Sequence, residues 1–360
     1  MTRNVSISLD QFYRPQPGGI ATYVRGLVNG LSSLHDDAFR LTGVAPKGVS
    51  TQDTTDLKLD QVRASLSVQL LTRVWATWPL AVPSNSDVVH ATSLAGPFAG
   101  GRKVAVHCVA LHDLLWRDEP SASTPRGIRF HERRLAMIKR RHDVRLITTA
   151  PGLAQRLRDE GFDPSRLHES RLGVDDDDAI PGSKEQVRTL LQEHGVVGPF
   201  TLYVGTREPR KNLERLVAAH REAFAARREL GPLVMVGPGG WGAVDSGDAV
   251  VLGLVSRPML KALYRDATVF AYVPLAEGWG LPPVEALHEG SRVVASSTTP
   301  SVADNEQVVL VDPLNQSAIS EGLLTALSLD NEVTGRAARR ASVSALTWRN
   351  VALDHLAAWQ

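Results

Sequence analysis

Cysteine occurs once in the 360 residues, at Cys108, so no disulfide can close within the chain. A lone thiol fits a reducing compartment. Its place in the strand-like run Val104–Leu111 reads as a small buried residue rather than a nucleophile. Charge of one sign is equally scarce. Lys+Arg 40 against Asp+Glu 39 leave a net charge of +1, which argues against a nucleic-acid partner. No uninterrupted apolar stretch approaches the roughly 18 residues of a membrane-spanning helix. The opening Met1–Asp10 lacks the long apolar core of a signal peptide. The expected location is cytoplasmic, with any membrane contact peripheral and on the inner face. Low-complexity segments are absent as well. What is present is soluble globular material, 43% hydrophobic and 22% charged, long enough for two domains of about 150–200 residues.

Short β-branched runs alternate with longer helical patterns, the signature of βαβ units and parallel sheets. In the first half the predicted strands are Val5–Leu9, Leu41–Ala45, Val88–His90, Val104–Ala110 and Val144–Thr148. In the second they are Thr201–Val204, Leu233–Val236, Val250–Leu252, Thr268–Tyr272, Arg292–Ala295 and Val308–Val311. Between the halves, Gly173–Gly182 holds the four aspartates Asp175–Asp178 and a Pro-Gly pair, and reads as an exposed hinge. Asp-x-Asp can bind a metal when it ends a strand. Here a solvated acidic linker explains it and no strand ends on it, so no metal site is assigned. The reading is a Rossmann-like domain over 1–180, a second over 184–345, and an amphipathic last helix over 346–360.

The segment Pro274–Gly290 is the most informative. An apolar run, Ala267–Val273, leads into the loop Glu277–Leu281, whose two glycines let a ligand approach the backbone closely. Pro282 and Pro283 suit the opening of a helix, and Gly290 suits its end. Gly278, Trp279, Gly280 and Leu281 then offer N–H groups at the positive end of a helix, a site for phosphate. Glu277 lies on the loop before that site and Glu285 just inside the first turn. Two acceptor-only carboxylates flanking one anion site cannot both be there to bind the anion. They suit hydroxyls on either side of it. A phosphate with hydroxyl-bearing groups on both sides describes a nucleotide sugar.

Tyr203–Leu213 forms a second constellation. A predicted strand runs into a glycine turn, and Asn212 caps a helix whose Leu213, Leu216 and Val217 fall at helical spacing. Arg210 and Lys211 stand at that helix N-terminus, where cations are unfavourable unless an anion lies between them. Arg207 is an additional candidate. His112-Asp113 follows a predicted strand, at the carboxyl end where open α/β sheets place ligands. His90 is a weaker candidate and His107 reads as structural. Gly18-Gly19 sits between the first strand and a helix over Ala21–Leu31. Residues 126–145 are dense in cations, with Ile128, Leu135, Met137 and Ile138 interleaved. They read as a surface for anionic lipid or an acidic acceptor, or as a solvated basic helix.

From Val5 to Trp348 the chain resembles the retaining glycosyltransferases of family 4. Pro274–Gly290 is similar to the family's Glu-x7-Glu signature, and Arg210-Lys211-Asn212 to its basic donor motif. The resemblance implies an α/β protein of GT-B fold, two Rossmann-like domains facing across a cleft, with the last helix crossing back onto the first domain. It implies that Glu277 contacts the donor sugar and Glu285 the ribose. Arg210, Lys211 and the loop Gly278–Leu281 would take the diphosphate. Leu254 and Val255 would contact the base, mostly through backbone, and Gly18 and Gly19 would form the glycine loop of the N-domain. His112 would lie beside the anomeric carbon, which makes His112 and Glu277 the catalytic candidates. The implied activity is retaining transfer of a hexose, with GDP-mannose the first donor, to a glycan or lipid-linked acceptor. No metal or cofactor is implied, because two cations and a helix end offset the diphosphate charge. Three departures stand out. Trp279 occupies a place usually held by Phe; Val236–Trp241 lacks the lysines of many relatives, which leaves nucleotide preference open; and Val302-Ala-Asp304 replaces a usual Pro-Glu. The rival readings are a GT-B nucleotide-sugar 2-epimerase, which needs additional cleft acids, and a catalytically silent binding subunit, against which His112, Lys211 and Glu277 are all present.

Overall fold

Runs such as Val106–Leu111 and Val269–Tyr272 are apolar without alternation, and a strand of that kind must be covered on both faces. The computed structural model describes residues 2–14, 18–34, 38–48, 57, 59–98, 106–175, 183–240, 242 and 244–360, and it buries both runs completely. Among the described residues the strands form two sheets, parallel throughout. The first holds β1 (Arg3–Ser8), β2 (Phe39–Ala45), β3 (Asp60–Arg63), β4 (Val88–Ala91), β5 (Val106–Leu111), β6 (Val144–Thr148) and β7 (Leu167–Glu169), in the order β3-β2-β1-β4-β5-β6-β7. The second holds β8 (Thr201–Val204), β9 (Leu233–Val236), β10 (Val250–Gly253), β11 (Val269–Tyr272), β12 (Val293–Ser296) and β13 (Val308–Val311), in the order β10-β9-β8-β11-β12-β13. The chain divides into two units, Met1–Asp175 with Leu346–Gln360, and Asp176–Ala345. Each sheet reverses its winding once, between β1 and β4 and between β8 and β11. Ligands of doubly wound sheets bind beyond the strand carboxyl ends at that point.

Two strands carry no sequence signal. β3 is Asp-Gln-Val-Arg, mostly exposed and paired only with β2, and β7 is three residues long and paired only with β6. Edge strands of this kind are short and polar because their outer side faces solvent. Residues 104 and 105 of the predicted strand Val104–Ala110, and Asp176–Asp178 of the acidic run, lie outside the described residues.

The last helix, Trp348–Trp359, packs within the first unit against the helix Gly18–Ser33. Thr347 caps it, accepting from the Asn350 N–H at 3.2 Å. Gly26 and Gly30, one turn apart, make the approach feasible. A Cβ at Gly26 would lie 2.0 Å from the Trp348 ring, and one at Gly30 would lie 2.1 Å from the Trp348 carbonyl oxygen. Among the described residues, no helix is long and apolar enough to cross a membrane.

Candidate functional site

The second unit builds its site where β8 and β11 end side by side. Gly205 and Gly237 close β8 and β9 with φ of +155° and +133°, and a Cβ at Gly237 would lie 2.2 Å from the Gly205 carbonyl oxygen. Only glycine fits both the conformation and the space. Beyond Gly205 the chain makes one 3-10 turn, Pro209–Lys211, and then enters the helix Leu213–Ala226. Asn212 stands at the cap position but does not cap. Its φ of +60° departs from the extended backbone of a capping residue. Its amide instead donates to the carbonyls of Val273 at 3.0 Å and Pro313 at 2.8 Å. It thus ties the loop after β8 to the loop after β11, and Leu275 N–H reinforces this by donating to the Arg210 carbonyl at 2.9 Å.

Those ties bring four charges together. Lys211 Nζ pairs with Glu277 Oε2, Arg210 Nη1 lies 3.1 Å from Glu277 Oε1, and Arg210 Nη2 lies 2.6 Å from Glu208 Oε1. Lys211 also donates to the Tyr272 hydroxyl at 2.7 Å, and that hydroxyl donates to Glu277 Oε2. None of the four charged side chains is more than 14% exposed. The anion between the two cations is therefore Glu277 itself. Burial alone would raise the Glu277 pKa, but the Lys211 and Arg210 charges outweigh burial and bring it to about 2. Glu208 and Tyr272 were not read from the sequence. Their signals are slight: a carboxylate two residues before Arg210, and the last residue of an apolar strand ending in a hydroxyl.

Glu285 is the fifth residue of the helix Leu281–His288, at the end of its first turn. Its carboxylate accepts from Tyr264 Oη at 3.0 Å and Arg257 Nη2 at 3.3 Å. The helix start is also a poorer donor than expected, because Pro282 and Pro283 carry no N–H. The Gly278 N–H donates to Glu277 Oε1 at 3.2 Å. The N–H groups of Trp279, Gly280 and Leu281 have no partner among the described residues. Gly280 adopts φ of +92°, and a Cβ there would lie 2.6 Å from Thr299 Cγ2. Ser301 holds this loop, donating from its backbone to the Trp279 carbonyl at 3.0 Å and from its hydroxyl to the Gly280 carbonyl at 2.6 Å. Trp279 is buried, which fits an anchoring role. Leu254 is 76% exposed just beyond β10, and Val255 is half-buried. Arg207 donates to the Gly237 carbonyl at 3.2 Å.

In the first unit, His112 follows β5 and both its ring nitrogens are engaged. Nε2 lies 2.9 Å from the Thr92 carbonyl and must donate, so Nδ1 accepts from the Thr149 hydroxyl at 3.0 Å. Burial holds its pKa below the ordinary value, partly opposed by the Thr92 carbonyl and Asp113. The Tyr23 ring meets the His112 ring edge-on, 4.9 Å between centroids. Tyr23 Oη lies 2.7 Å from both His90 Nε2 and His355 Nε2. His355 Nδ1 donates to the Val351 carbonyl at 2.7 Å. That fixes the direction: His90 donates to Tyr23, and Tyr23 donates to His355. His90, a sequence candidate, is thus a fully buried member of a chain joining β4, the first helix and the last helix. His107 is buried too. Gly18, with φ of +59°, and Gly19 both face open space.

Acid should loosen this unit. Burial lowers His355 to about 4 and His107 to about 4, and His90 well below its ordinary value. Unfolded histidine titrates near 6.5, so the folded state binds fewer protons between 6.5 and 4, and stability falls as pH drops through that window. At pH 5 His355 and His107 each cost about 2 kcal/mol. Asp10, whose burial raises its pKa, acts in the opposite sense, and Glu277 does not titrate in this range. The melting temperature should drop clearly between pH 7 and pH 5; equal values would show these histidines to be solvated.

The basic segment is split by the fold. In the helix Pro125–Lys139, Leu135 and Ile138 are buried, while Ile128 and Met137 pack against the same core. Its apolar residues are therefore not offered to lipid. Arg134 is buried, donating to the carbonyls of Thr72 and Gly96. Arg126, Arg129, Arg133 and Arg140 share the outer face, with no carboxylate partner among the described residues. Among the described residues no group of three His, Cys, Asp or Glu could hold a metal ion.

The family model described as Glycosyl transferases group 1 matches residues 198–328. The O-antigen chain mannosyltransferase B of Escherichia coli is 32% identical over 197 residues, covering 51% of this chain and 51% of that protein. A D-inositol 3-phosphate glycosyltransferase of Corynebacterium efficiens is 28% identical over 207 residues, covering 52% and 49%. The chain spans about half the length of these curated relatives. Among solved structures, the sucrose-phosphate synthase of Thermosynechococcus elongatus superposes with a TM-score of 0.72 at 16% identity, covering 99% of this chain and 98% of that one. WaaG, a glycosyltransferase involved in lipopolysaccharide biosynthesis, gives 0.68 at 16% identity, covering 98% of each.

Proposed function

We propose that the chain is a group 1 glycosyltransferase on its GT-B fold, and that it transfers a hexose from a nucleoside-diphosphate sugar to a glycan or lipid-linked acceptor. The observation that carries the reading is the placement of Arg210, Lys211 and Glu277 at the adjoining carboxyl ends of β8 and β11, the switch point of the second sheet. Mannose from GDP-mannose is the first donor, supported by the mannosyltransferase relatives. Transfer proceeds with retention of configuration, as the Glu-x7-Glu resemblance implies.

In this reading Arg210, Lys211 and the N–H groups of Trp279, Gly280 and Leu281 hold the diphosphate and stabilise it as a leaving group. Glu285, fixed by Tyr264 and Arg257, takes the ribose. Leu254 and Val255 flank the base. Glu277 accepts from sugar hydroxyls, and His112 serves the reacting sugar in its neutral form. The outer arginine face of the helix Pro125–Lys139 attracts an anionic membrane electrostatically, without insertion. Calorimetric titration with GDP and UDP tests the donor site. Arg210→Ala should weaken binding about tenfold or more, since a charge-assisted bond contributes roughly 1.5–3 kcal/mol. Unchanged affinity would remove the diphosphate assignment. Transfer should also survive EDTA, because the cation pair supplies the charge that a metal would; a strict Mg²⁺ or Mn²⁺ requirement would contradict this.

A further inference from the structure

Glu277 has one carboxylate and two competing sets of partners. In the structure it is held by Lys211, Arg210 and Tyr272, in surroundings that keep it ionised. In the donor reading, on which the release role of Glu277 rests, the same two cations hold a diphosphate. Phosphate oxygens on Lys211 and Arg210 would then face a buried carboxylate, and like charges in a poorly solvated site repel strongly. An intact sugar nucleotide relieves the conflict, because its sugar hydroxyls give Glu277 new donors as it leaves the cations. A free nucleoside diphosphate carries no sugar and offers Glu277 nothing in exchange.

We infer that Glu277 is a specificity-determining residue that favours the intact donor over the free nucleoside diphosphate and drives product release. Once the sugar has moved to the acceptor, Glu277 loses its hydroxyl partners, returns to Lys211 and Arg210, and displaces the diphosphate. Tyr272 sets the strength of the return, since its hydroxyl accepts from Lys211 and donates to Glu277. Discrimination here comes from a repulsive element inside the site rather than from added attraction. No bond is made or broken by Glu277, and its proton inventory does not change.

The test is calorimetric titration of GDP, UDP and inorganic pyrophosphate into the wild type, Glu277→Gln and Tyr272→Phe. Glu277→Gln keeps the shape and removes the charge, so each diphosphate should bind about tenfold tighter or more. Inhibition by released nucleotide should strengthen in parallel, even though transfer slows. Tyr272→Phe should shift affinity the same way by a smaller factor, which decides the matter if Glu277→Gln does not fold. Diphosphate affinity that is unchanged or weaker in the folded variants overturns the inference. Arg210→Ala separates the two levels. If it leaves binding unchanged, the donor site itself is wrong; if it weakens binding while Glu277→Gln fails to tighten it, only the release role is wrong.

Discussion

Lys211→Ala is expected to lower transfer about 10²–10³-fold, the loss typical of removing one positioned group that stabilises developing charge. The effect has two sources. The leaving diphosphate loses a cation, and Glu277 loses one of its two ion-pair partners inside a mostly buried cluster. Breaking a buried pair costs roughly 3–5 kcal/mol when the remaining charge has no other partner. Here Arg210 still reaches Glu277 at 3.1 Å, so the stability loss should fall at or below the low end of that range. Melting temperature, GDP affinity and turnover measured on one preparation separate the sources. A variant that melts normally and turns over normally would show that Lys211 lies outside the chemistry.

His112→Ala should also slow transfer about 10²–10³-fold, yet leave GDP affinity as it was. The argument is positional, since His112 follows β5 of the first unit and every nucleotide contact proposed above lies in the second. Its ring is held on both nitrogens, by Thr92 and Thr149, and so is fixed in a single neutral tautomer with the Nε2 proton on a carbonyl. That geometry orients the ring more than it exposes a base. An effect on turnover with normal folding supports a role at the sugar. Full activity would make His112 a bystander, and a collapsed melting temperature would make it structural.

The apolar runs were legible because a doubly covered strand needs a largely hydrophobic stretch, and such runs mark β5, β9 and β11. β3 and β7 were not legible, because an edge strand needs neither length nor apolar faces. The Glu277 loop could be read from its glycines, but its partners could not. Glu208 and Tyr272 gather where Asn212, instead of capping its helix, ties the loop after β8 to the carbonyls of Val273 and Pro313, and no local pattern encodes that tie. The paired prolines signalled a helix start correctly and at the same time removed the donors expected there. The basic segment showed its charge in sequence, but only the packing of Leu135 and Ile138 shows that its apolar residues face inward.

The central claim is that the second unit binds and activates a nucleotide sugar. Incubation of the protein with a panel of nucleotide sugars, followed by mass spectrometry of released nucleoside diphosphate, tests it most directly. The account predicts release from one donor, GDP-mannose first, undiminished by EDTA and suppressed in Lys211→Ala. Absence of nucleotide release from every sugar in the panel, with and without a glycan or lipid-linked acceptor, would contradict it.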